Sequence, residues 1–456
     1  MLFSTFQFIL VFLPIALAGY WLLARRAGPR LWFLLLVSLV FYSYWDWRYT
    51  PLLIGSIAVN WLAAEAFLAY RRREILIAAI VADLACLGIF KYLGFFESIL
   101  FDSIGWNPSL TRLALPLGIS FFTFHHIIYL VDLLRGRAPR YLFRDYALYI
   151  ALFPQILAGP LVRHREIVPQ LPLPPLRPGS EERLARGIAL FVIGLGKKLF
   201  LADALARASN PVFASAALAD PITVGAGWTA TLGFALQVYF DFSAYSDMAI
   251  GLALLFGYAL PYNFDVPYRT TSMHQLWRHW HMTLLRFLRD YLFIPLAGSR
   301  PSLYRHIWAM MATMVLSGLW HGAGWTFVLW GTVHGIAMSV EVTWRHWRLP
   351  SLPAALGWAL TLMFWMLATV LFRAPTVDVA VNIYKAVLGF GPVGPLMQWP
   401  VLAIGAAVAI VGPSSQAFAE KLKPWRWFAP IAAAATVLVF LAVGDRPSYE
   451  FIYFHF

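Results

Sequence analysis

Charge is scarce in this chain: Asp, Glu, Lys and Arg make up 12% of its 456 residues, against roughly 25% in soluble domains. So few charges exclude a water-facing globular enzyme. Cysteine is nearly absent. Cys86 alone, within the apolar run 82–89, excludes an intrachain disulfide or a thiolate metal cluster and reads as packing. Familiar nucleotide and hydrolase signatures are missing too. Gly194-Leu195-Gly196-Lys197-Lys198 lacks the spacing and the hydroxyl of a phosphate-binding loop, and no serine stands in a GxSxG elbow. The start, Met1–Phe6, has no basic residue, so the first apolar run is expected to be a retained membrane anchor despite the cleavage-like Ala16–Gly19. There is no fixed-period repeat and no separate soluble domain.

Apolar side chains fill the space that charge leaves. Hydrophobic residues reach 61% and aromatics 17%, and the mean hydropathy is +0.68. Apolar runs recur from Phe6–Leu23 to Ile431–Val443; at about 20 residues per crossing they predict an all-α polytopic membrane protein with roughly eleven to thirteen membrane helices. The net charge of +13 is carried in part by Arg25-Arg26, Arg71-Arg72-Arg73 and Arg135/Arg137/Arg140, at the ends of apolar runs. That is the pattern of cytoplasmic loops facing anionic lipid, not of a nucleic-acid binder, and it places the N-terminus outside.

Polar residues inside such runs are the candidates for chemistry, because lipid penalises them. His321, in Ser317–Trp325, and His334 are each followed by glycine, which would let a substrate approach closely; the alternative is a packed, carbonyl-bonded histidine. A neutral histidine in apolar surroundings can take a proton from an attacking hydroxyl. Tyr239–Asp247 sets Asp241 and Asp247 among hydroxyls, for ion pairing, for orienting a histidine or arginine, or for a cation path. If 274–289 is one helix, His274, Arg278, His281 and Arg289 fall within about 80° of each other and form a basic face for phosphate, or merely an interfacial helix with snorkelling arginines. No carboxylate or thiolate completes a zinc set there. Asp83 and Lys91 are spaced to pair along a helix. Pro116–His126 and Phe153–Pro160 predict broken helices lining a cavity, and 171–182 is a Pro-rich loop. The terminal Phe451–Phe456 reads as an interfacial aromatic belt or as the carrier of a nucleophilic Tyr453 needing a base.

In order and spacing, Met1–Phe8, Pro116–Phe124, Phe153–Pro160, Gly196–Lys198, Tyr239–Gly251, Asn263, Leu276–Gly298 and Gly318–Gly335 resemble the membrane-bound O-acyltransferase superfamily, in its bacterial branch of alginate O-acetyltransferase-like proteins. The resemblance covers nearly the whole chain. It implies one membrane domain over 1–456, with N-terminal helices at 1–110, a catalytic core at 111–345 around a central tunnel and C-terminal helices at 346–456. It implies His321 as the key histidine, His281 as the second, and Tyr453 as a transient acyl carrier. It further implies donor or substrate contacts from Arg278, Arg289, Asp241, Asp247, Asn263 and Trp320. Many relatives carry arginine in place of His279, which is not taken as a site. The expected reaction moves acetyl groups from a cytoplasmic donor, acetyl-CoA, across the bacterial inner membrane, with no tightly bound cofactor and no metal. A periplasmic acetyltransferase of the SGNH type would then place them on an exported polysaccharide such as alginate. D-alanyl transfer to teichoic acid is the neighbouring alternative. A proton-coupled transporter or flippase, or a non-catalytic scaffold, are alternatives of another class. The residues do not specify the acceptor.

Overall fold

The computed structural model describes residues 2–105, 114–423, 428–443 and 451–452. Every regular element among them is helical, the form that satisfies backbone groups within one segment where no water can. Three helices are long and apolar enough to cross a bilayer, Trp47–Tyr70, Arg73–Phe101 and Ala354–Arg373, and Trp399–Val411 with Ser415–Lys421, bent by 53°, would make a fourth. Shorter apolar helices include Gln7–Leu22, Ala27–Ser43, Ile119–Leu134 and Pro430–Val439. Other unbroken helices, among them Val224–Leu255 and Trp325–His346, are long enough but carry more polar residues.

The described chain divides into two compact units, neither a single stretch: Met1–Val192 with Tyr245–Pro261 and Ala419–Ala434, and Ile193–Ala244 with Tyr262–Phe418 and Ala435–Phe456. The first has a core of stacked rings. Phe41 lies 5.6 Å from Phe3 and 5.4 Å from Phe153. Several of its buried polar groups are paired, as burial favours. His126 Nδ1 is 2.6 Å from Tyr146 Oη, and His164 lies between Tyr141 Oη at 2.9 Å and Asp132 Oδ2 at 3.2 Å. Asp83, spaced in sequence to pair with Lys91, accepts at Oδ1 from Asn60 Nδ2 at 2.9 Å. Buried Arg30 donates to the carbonyls of Ala24, Leu171 and Leu173 and so fixes the start of the Pro-rich loop. The two punctuated stretches meet. Gly118 has φ +76°, and a Cβ there would stand 2.6 Å from the Ile156 carbonyl oxygen. Residues 152–162 leave the helix, as expected, and run buried, whereas 119–126 belong to the regular Ile119–Leu134 helix.

The second unit is built around a helical hairpin, Leu303–His321 and Trp325–His346. Its helices touch through glycine: a Cβ at Gly331 would lie 2.3 Å from the Met314 carbonyl oxygen. Only a residue without a side chain permits that approach. Against the hairpin pack Ala354–Arg373 and a tryptophan cluster. Trp277 is 5.8 Å from Trp330 and Trp280 is 4.6 Å from Trp365, centroid to centroid. Buried Tyr268 ties the cluster to the backbone, its hydroxyl donating to the Ala235 carbonyl and accepting from Trp365 Nε1.

Candidate active site

His321 is the last residue of the first hairpin helix, where three residues of extended turn, Gly322–Gly324, reverse the chain. The turn aims its side chain into the unit, where it is 4% exposed. Three rings wall the imidazole: Trp320 at 4.7 Å, Phe372 at 5.1 Å and Trp330 at 5.2 Å. A cavity of about 10 Å³ adjoins it, lined by Val238, Trp280, Trp330, Trp365, Thr369 and Phe372 together with His321. That is about the room one water needs. His334 is wholly buried one element on. It is boxed by Trp277, Trp330, Phe364 and Trp365, so it reads as a packed histidine. The glycines after both histidines face protein: a Cβ at Gly322 would meet the Phe327 ring at 2.1 Å and one at Gly335 the Met311 sulfur at 2.8 Å. Their expected role as a surface for approaching substrate is therefore replaced by helix packing.

The expected continuous helix over 274–289 does not form. One helix runs Met273–His279, a second Met282–Phe287, and His281 between them adopts φ +42°, ψ +50°. A left-handed non-glycine backbone is costly and persists only where its surroundings hold it. Here the loop before it does so. The Asp265 amide donates to the His279 carbonyl and the Met282 amide to the Asn263 carbonyl, both at 3.0 Å. The kink buries His281 to 1% exposure while Arg278 and Arg289 stay exposed, which dissolves the predicted basic face. His274 turns to Glu341, 3.2 Å away, and Arg289 to Asp290, 2.7 Å away.

Asn263 organises His281. Its Oδ1 lies 3.2 Å from His281 Nδ1 and accepts from Thr283 Oγ1 at 2.7 Å. Phe242 stands edge-on to the His281 ring at 4.6 Å. Trp320 touches both histidines, 6.4 Å from His281 and 4.7 Å from His321, so the two rings share one indole wall. Asp241 is occupied by Lys198, 2.7 Å away. Asp247, also buried, belongs to the other unit. Tyr453 lies outside the described residues. Among these, no group of three or more His, Cys, Asp or Glu side chains is placed to hold a metal ion.

Sequence reasoning passed over Lys198, Asp203, Thr283 and the ring wall of Trp330 and Phe372. Lys198 carried a usable signal, an ammonium within the apolar run 188–206, where lipid demands a partner. The aromatic wall carried none, since one tryptophan among 20 does not announce which it faces.

The model of the membrane-bound O-acyltransferase family, MBOAT, matches residues 104–380. The peptidoglycan O-acetyltransferase of Helicobacter pylori is 38% identical over 435 residues, covering 86% of this chain and 81% of that protein. A Pseudomonas aeruginosa protein named "Probable alginate O-acetylase AlgI" is 37% identical over 401 residues, 86% of this chain and 75% of that one. A teichoic acid D-alanyltransferase of Streptococcus thermophilus is 26% identical over 239 residues, half of this chain and 57% of that one.

Proposed function

The chain belongs to the membrane-bound O-acyltransferase family and is a multi-pass membrane acyltransferase, and from that premise we propose that it O-acetylates an exported polysaccharide using a cytoplasmic thioester, acetyl-CoA. The observation that carries the proposal is the pair of buried histidines on one indole wall, His321 beside a small cavity and His281 fixed by Asn263. Exposed Arg278 and Arg289 are candidates to meet the donor's phosphates at the membrane surface.

His321 takes the proton of the attacking hydroxyl as its oxygen bonds to the thioester carbonyl carbon. The carbon–sulfur bond then breaks, and the proton returns to the thiolate leaving group. The hydroxyl belongs to Tyr453 as a transient carrier or to the acceptor itself. Dense aromatic walls exclude bulk water, which would otherwise hydrolyse the thioester. A periplasmic SGNH-type acetyltransferase is the proposed recipient that completes transfer to polymer. The names of the relatives make alginate and peptidoglycan the first acceptors to try.

The test is label transfer from [acetyl-14C]CoA to polymer in membranes holding the chain or its His321→Ala variant. Loss of label with intact protein supports the proposal, and undiminished label in the variant ends it. Intact-mass analysis of trapped enzyme addresses the carrier. An acetyl adduct on the C-terminal peptide, absent in Tyr453→Phe, is the expected result.

A further inference from the structure

Away from the His321 wall, the second unit holds a buried ionic group that the proposed chemistry does not use. Lys198, Asp203 and Asp241 are 5%, 4% and 1% exposed. The Lys198 ammonium is 2.7 Å from Asp241 Oδ1 and 2.9 Å from Asp203 Oδ1. One ammonium between two carboxylates leaves carboxylate oxygens that must find further donors where water is excluded. Asp203 follows directly on the Lys197–Ala202 helical segment, its own amide bonded to the Lys198 carbonyl. Asp241 lies within the Val224–Leu255 helix. Its second oxygen takes a donor from the far end of the chain, the Ile452 backbone N–H at 2.9 Å.

Phe451 and Ile452 are accordingly buried, 3% and 8% exposed. The Phe451 ring lies 6.1 Å from Phe242, the ring that stands edge-on to His281. We infer that Asp241, charge-balanced by Lys198, is the positioning residue that latches the C-terminal segment against the Phe242–His281 pair. The latch reads backbone rather than side chain, so it fixes the register of the segment whatever residue other than proline occupies position 452. Tyr453 is the next residue along the chain. The inference rests on the proposed part of this segment in acyl transfer, and the two are separable by experiment.

Hydrogen–deuterium exchange on the full-length protein in nanodiscs reads the latch without turnover. Asp241→Ala is expected to speed exchange in the C-terminal peptide about tenfold, the worth of one hydrogen bond, while the Leu303–His321 peptides stay unchanged. Asp241→Asn keeps a carbonyl acceptor and is expected to restore most of the protection. In turnover, Asp241→Ala is expected to lower kcat with the KM for acetyl-CoA unchanged. Ile452→Pro removes the donor from the other side and leaves the ionic group intact; it is expected to reproduce that kcat loss. Unchanged tail exchange in Asp241→Ala, or full activity in Ile452→Pro where Tyr453→Phe is impaired, overturns the latch. Full activity in Tyr453→Phe overturns the carrier instead and leaves the exchange result standing.

Discussion

At the scale of single residues, the candidate site is a pair of imidazoles whose freedom has been removed by different means. Aromatic rings hold His321 on three sides, while an amide oxygen and a left-handed backbone hold His281. His321→Gln keeps most of the volume and discards the titratable nitrogen. It is expected to slow acetyl transfer about 10²-fold or more, the worth of a general base, with the thermal transition nearly unmoved; a rate close to that of the parent enzyme would exclude His321 from the chemistry. Asn263 should matter through its oxygen. Asn263→Leu removes the acceptor of the buried Thr283 hydroxyl at a cost of about 1–3 kcal/mol and the amide oxygen beside His281 Nδ1, with about 10²-fold in rate at stake. Asn263→Asp keeps the acceptor and is expected to retain far more activity. Equal losses in the two variants, measured by label transfer alongside thermal unfolding, would contradict the orienting role. His321 and His281 stand out in sequence as histidines within ordered family motifs. Asn263 was legible only as a motif residue, because its bond to His281 spans 18 positions of chain.

At the scale of elements, the hairpin and the broken helix carry the site. Gly331→Ala would set a methyl group 2.3 Å from the Met314 carbonyl oxygen, so the helices must part. The expected cost is about 1–3 kcal/mol from overpacking, seen as a lower melting temperature, with reduced transfer because His321 ends one of those helices. An unchanged melting temperature would show that the hairpin yields freely. The break at Trp280–His281 is the clearest case of a feature hidden from sequence. Residues 273–293 contain neither glycine nor proline, and helical periodicity runs through them without interruption. The helix nonetheless ends because residues 263–265 bond the backbone groups of His279 and Met282. Tertiary pairing outweighs local propensity, which is a weak prior of under about 1 kcal/mol per residue.

At the scale of the whole molecule, the arginine clusters predict topology. Arg25-Arg26 and Arg71–Arg73 should both face the cytoplasm. Because Cys86 is the only cysteine, Cys86→Ala gives a cysteine-free background in which Arg26→Cys and Arg72→Cys can be labelled singly. A membrane-impermeant maleimide is expected to spare both sites in intact cells and modify both after lysis. Labelling of either from outside reverses the orientation. The sequence by itself determined the solvent and the helical class, because hydropathy, charge scarcity and motif order are local properties of the chain. Only the tertiary structure decided that His334 packs while His321 adjoins a cavity, that Arg278 and Arg289 part from His281, that two glycines serve helix contact, and that Asp241 answers to Lys198 and to Ile452 at the chain's other end. A buried polar group must find a partner where water cannot serve, and which partner it finds is set by segments distant in sequence that the fold brings together.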